Sequence, residues 1–218
     1  MLKNEFTLDN SIEESLQHND FRLHVEGGWN NVYPPVKARM DKLLTSPTDT
    51  VFAGKGCVRR SKIGLIFAYL SKILGTPLVF NQGENVLITV KVSPTSNGRR
   101  CWNRSFEFSD SSKQIVETTK IVDPKLGFID AVGSEGEKLL ATKMKVRTEG
   151  KSLFFESTCY LLRFKYFNVV LPSILTPGTL KAEHRDEGNG NFRYILSFEH
   201  SIYGETFYQD GIFREKEE

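Results

Sequence analysis

The hydrophobic positions of this chain change period once, near Gly83. Before that point they recur at helical spacing. Val36, Met40, Leu43 and Leu44 follow Pro34-Pro35, a pair suited to a helix start, and predict a helix within Asn31–Leu44. Ile63, Ile66, Phe67, Leu70, Ile73 and Leu74 form one apolar stripe along Lys62–Leu74, flanked by Lys62 and Lys72 and stopped by Gly75 and Pro77. This is the strongest predicted helix, and its stripe, Ile66, Phe67 and Leu70 included, must cover something. Between the two helices, Val51–Arg60 predicts a first strand.

After Gly83 the period is two. Val86, Ile88, Val90 and Val92 share a face, and Asn97-Gly98 marks a hairpin. Arg100–Phe108, Gln114–Val122, Gly127–Val132, Leu139–Thr148, Leu153–Arg163, Thr179–Asp186, Phe192–His200 and Glu205–Arg214 follow as strands, with a Pro-bounded helical turn at Leu171–Gly178. Many consecutive strands with one apolar face and short turns tend to close, because closure removes exposed edges. The expected fold is mostly β (α+β): a closed or nearly closed antiparallel β-barrel or curved sheet, lipocalin-like, with N-terminal helices and one helix after the first strand. Residues 1–28 read as a polar arm with a short helix around Ser11–His18, and residues 29–218 as one barrel-like domain.

Composition narrows the function. Sixteen Phe and seven Tyr suit strands around an apolar interior. The net charge of +2 comes from interleaved acids and bases, which argues against a nucleic-acid partner. Three widely spaced cysteines make neither a disulfide framework nor a metal site. No run approaches the ~20 apolar residues of a membrane span, and Met1–Glu5 opens no secretory signal, so the expected location is cytoplasmic. No cofactor is implied.

Candidate chemistry follows from alternation. In Arg100–Phe108, Arg104 has the parity of Trp102, Phe106 and Phe108, so it goes where the aromatics go. An inward Arg suits the carboxylate or phosphate head of an apolar ligand; the plainer reading is an inward acid partner, or stacking on Trp102 for structure alone. His184 shares a face with Leu180 and Ala182, and Tyr194, Phe198 and His200 share another. Tyr208 pairs in parity with Asp210. These groups line the polar end of a cavity or are satisfied core polar residues. No GxSxG elbow, nucleophilic Cys–His spacing or carboxylate pair selects a catalytic residue. Gly54-Lys55-Gly56 completes no phosphate-loop motif and reads as glycines that let another backbone come close.

Tyr33-Pro34-Pro35-Val36 through Arg39, Gly54-Lys55-Gly56 with Arg59-Arg60, Leu74-Gly75-Thr76-Pro77, Trp102-x-Arg104-x-Phe106, and Tyr203-Gly204 with Tyr208–Gly211 together resemble an uncharacterised bacterial family, domain of unknown function 4166. Its members often stand C-terminal to short-chain or saccharopine-dehydrogenase-like oxidoreductases. Where that family commonly has His before the first Pro, this chain has Tyr33. The resemblance implies an accessory or binding domain, with an oxidoreductase as an implied partner. The expected function is a module holding a small hydrophobic or amphipathic molecule on Trp102, Phe106 and Phe198, oriented by Arg104 or a histidine. The alternatives are an enzyme using His184 or His200 with Tyr194 or Tyr208, and a domain that docks onto a separate oxidoreductase.

Overall fold

The computed structural model describes residues 20–75 and 78–216 of the chain. Two α-helices, α1 (Pro34–Thr45) and α2 (Lys62–Ile73), accompany β1 (Val25–Glu26), β2 (Thr50–Arg60), β3 (Gly83–Pro94), β4 (Arg100–Glu107), β5 (Lys113–Asp123), β6 (Gly127–Val132), β7 (Leu140–Glu149), β8 (Ser152–Arg163), β9 (Asn168–Val170), β10 (Thr179–Gly188), β11 (Asn191–His200) and β12 (Gly204–Glu215). Ten strands close an antiparallel barrel in the order β2-β3-β4-β5-β6-β7-β8-β10-β11-β12, and β12 pairs back onto β2. β1 adds to β7 in parallel and β9 adds to β8. The helix expected around Ser11–His18 lies outside the described residues.

Nearly every strand pairs with its neighbour in sequence, so the ring is a meander whose one long-range seam is β2 against β12. Glycine makes that seam possible. A Cβ on Gly54 would overlap the carbonyl oxygen of Ile212, and one on Gly56 would overlap that of Asp210. The Gly54-Lys55-Gly56 stretch is therefore a packing device that lets the first and last barrel strands come close.

The two helices cap opposite ends. α1 starts on Pro34-Pro35 and buries Val36, Met40 and Leu43 against the barrel. Phe21 packs at the same end, 5.4 Å from the Phe155 ring and 5.6 Å from Phe128, so the chain from Asp20 onward is part of the packed body. At the other end Ser61 caps α2 by accepting from the Gly64 N–H at 3.0 Å. Gly64 lies where a Cβ would meet the Thr206 carbonyl oxygen, so the helix rests closely on β12. This contact sets the helix's orientation. Gly64, Phe67, Ala68 and Ser71 face inward, whereas Ile66, Leu70 and Ile73, expected to cover the sheet with Phe67, are exposed, Ile73 by 83%. Small residues allow the closest backbone approach, and they override the position of the larger apolar side chains. No helix among the described residues is long and apolar enough to cross a membrane.

Candidate functional site

Alternate residues of the barrel strands point inward, and between the two helices they enclose a cavity of about 140 Å³. Its outer half is apolar, with Phe67 and Leu70 of α2, Leu74 just after that helix, and Leu171 and Leu175 of the β9–β10 connection around the mouth. The inner half is polar, lined by Arg104, Lys120, Asp130, His184 and Tyr194. A further void of about 20 Å³ continues past Arg104, His184 and Tyr194 to Arg39 of α1.

Charge in this inner half is unbalanced. Lys120 Nζ stands 3.5 Å from Asp130 Oδ1, with both side chains nearly buried. The amine also faces the Trp102 and Phe155 rings at 5.0 and 5.3 Å. Burial holds its pKa below the ordinary lysine value, Arg104 pushes the same way, and Asp130 opposes both. Arg104 donates from Nη1 to Thr118 Oγ1 at 3.2 Å and has no carboxylate within ion-pair distance among the described residues. Arg39 lies with its guanidinium 4.1 Å from the Phe192 ring centroid. Its Nε and Nη2 are buried without a hydrogen-bond partner among the described residues, and burial brings its pKa down to about 10.

His184 occupies the centre of this cluster, 5% exposed, with Tyr194 at 4.8 Å, Phe155 at 5.7 Å and Trp102 at 5.9 Å between ring centroids. Burial, reinforced by Arg39, Lys120 and Arg104, pushes its pKa well below the ordinary 6.5 and keeps the ring neutral. Its Nδ1 and the Trp102 Nε1 are buried without partners among the described residues. Burial raises the Tyr194 pKa.

The sequence-predicted residues divide in two. Trp102, Arg104, His184, Tyr194 and Phe198 line the cavity together. Phe106 points inward and is 1% exposed, but it packs in the wall without lining the cavity. His200 is not in the cavity. It follows a bulge between Phe198 and Glu199 at the strand end, where its Nδ1 accepts from the Ile202 N–H at 3.0 Å and its Nε2 faces the Ser173 carbonyl at 3.2 Å. Tyr208 lies on the outer face. There it stacks under Arg59 at 4.3 Å and donates to Asp210 at 3.2 Å, because Phe207, Gln209 and Phe213 take the inner positions of β12. Sequence reasoning passed over Lys120, Asp130 and Arg39. Lys120 has the parity of Thr118, and Asp130 that of Phe128 and Val132, while Arg39 falls on the buried side of α1 between Val36 and Leu43. Those spacings were the available signal.

The residues that carry the family resemblance, Arg39, Trp102 and Arg104, meet in this inner chamber. The family described as "Domain of unknown function (DUF4166)" matches residues 33–213. The chain belongs to that family. No curated protein matches it. Among solved structures, Rv2717c from M. tuberculosis is 12% identical with a TM-score of 0.41, over 86% of this chain and 100% of that one. The dehydratase domain from the CurF module of curacin polyketide synthase is 10% identical with a TM-score of 0.18, over 84% and 81%. At these scores neither likeness bears on this DUF4166 domain.

Proposed function

We propose that this DUF4166 domain binds one small amphipathic molecule inside its barrel, apolar part toward α2 and anionic head in the inner chamber. The observation that carries the reading is the excess of buried positive charge. Arg39, Arg104 and Lys120 face the chamber; Asp130 stands 3.5 Å from Lys120, Asp186 acts on Arg39 without forming an ion pair, and neither arginine has an ion-pair partner among the described residues. An unpaired buried guanidinium costs several kcal/mol, and a carboxylate or phosphate between Arg39 and Arg104 removes that cost. Neutral His184 and the Trp102 indole supply further unpartnered polar atoms for orientation.

The test is fluorescence titration with dansylaminoundecanoic acid and with the corresponding alcohol. The acid should bind more tightly, and Arg39→Gln or Arg104→Gln should weaken the acid by about tenfold to a hundredfold while leaving the alcohol nearly unchanged. Equal affinities for acid and alcohol in the parent protein would remove the anionic-head reading.

Acid–base turnover of the same ligand is a second reading, favoured only by the adjacency of His184 and Tyr194. A His184→Asn variant that keeps ligand binding but abolishes chemical conversion of the bound molecule would support it.

A further inference from the structure

We infer that the α2 end of the barrel is a docking surface for an anionic lipid bilayer. This goes beyond ligand binding, and the two readings fail separately. Three chain segments surround the cavity mouth: α2 with its flanks, the stretch from Phe164 through β9 to Gly178, and the Ser201–Tyr203 turn. They are contiguous. Phe67 of α2 packs 6.4 Å from both His200 and Tyr203, His200 faces the Ser173 carbonyl, and Leu70, Leu74, Leu171 and Leu175 line one opening.

These segments leave large apolar side chains exposed, although Tyr69 touches Phe80 at 5.2 Å and Phe167 stacks on Phe164 at 4.8 Å between ring centroids. Ile66, Tyr69 and Ile73 project from α2, Tyr166 and Phe167 from the β8–β9 turn, and Ile202 from the last turn, with Tyr166 85% exposed. A patch of this kind marks an interaction site. The charge of the three segments themselves is positive, although Glu199 and Glu205, the latter paired with Arg59, flank the last turn. The chain has 27 Asp and Glu, yet these three segments carry none, while they hold Lys62, Lys72 and Lys165. None of the three lysines forms an ion pair among the described residues. Exposed aliphatic and aromatic groups interleaved with unopposed lysines complement an anionic headgroup layer over an apolar phase. The patch also rings the opening of the cavity. A protein seated there would seal the mouth, whereas a bilayer leaves it open onto an apolar phase.

Flotation of the full chain with phosphatidylcholine vesicles, with and without phosphatidylserine, tests the docking surface. Binding should require phosphatidylserine and fall with added salt. Lys62→Gln and Lys72→Gln should each weaken it about fivefold. Combining Ile73→Asp with Tyr166→Asp should abolish it. Both positions are exposed, so the melting midpoint and dansylaminoundecanoic acid binding should stay at parental values. Vesicle binding by a parent protein that does not bind the acid would count against the ligand reading and not this one. Indifference to lipid charge or to the variants would overturn the bilayer surface, as would absence of binding. So would a dimer that Ile73→Asp dissociates, which would assign the patch to a second copy of the chain.

Discussion

His184 is a buried imidazole whose neighbours Arg39, Lys120 and Arg104 are all cations, so its proton affinity is tied directly to folding. The folded ring titrates well below 6.5, whereas in the unfolded chain it titrates near that value. Below about pH 6.5 the unfolded chain therefore takes up a proton that the folded one refuses. Stability from this residue is complete above that pH and falls on acidification, by up to about 1.4 kcal/mol per pH unit. His184→Asn should flatten the dependence of the urea midpoint on pH across this window. A variant with the parental slope would show that His184 does not set it. At this scale much of the site was legible. Parity alone placed Trp102 and Arg104 inward together, and the same rule applied to β5 and β6 picks out Lys120 and Asp130. It misled at Tyr208 because β12 carries a buried Gln209, a polar residue that makes the inner face look like the outer one.

Among the elements, α2 and the β2–β12 seam carry most of the consequence. Phe67 is 7% exposed and is the one large α2 side chain wholly turned to the barrel end, so Phe67→Ala should cost about 3–5 kcal/mol in chemical denaturation. An unchanged midpoint would mean that the helix does not hold the mouth through this residue. At the seam, Gly56→Val places a branched side chain where the Asp210 carbonyl lies. It should destabilise by about 1–3 kcal/mol or more. Retention of the parental melting temperature would show that β2 and β12 can separate without loss. The existence of these elements was readable from period and punctuation. The rotation of α2 was not, since a helix with an apolar stripe wider than its contact gives no sequence sign of which part is buried. Gly64, Ala68 and Ser71 decide it by steric closeness to β12.

For the molecule as a whole, an anion seated between the two ends should act as a staple. Ligand at about a hundredfold excess over its Kd adds about 2.7 kcal/mol to the folded state, which for a chain of this size raises Tm by about 5–10 °C. Dansylaminoundecanoic acid should produce that rise in scanning calorimetry, and Arg39→Gln should reduce it. A rise of equal size in the variant would exclude α1 from the site. Arg39 is the instructive residue at this scale. The sequence places it on the buried side of a helix about 65 positions before Arg104, and nothing in periodicity brings the two together. Their meeting depends on closure, which sets α1 across one end of a ring whose first and last strands are far apart in sequence. Hydrophobic period, turn residues and glycine positions by themselves determined the meander, its inward faces and the presence of a helix after the first strand, because these are local consequences of backbone geometry. Tertiary structure alone decided the joint cation chamber, the outward turn of Tyr208 and the exposed side of α2, because each depends on distances between segments that local preference does not encode.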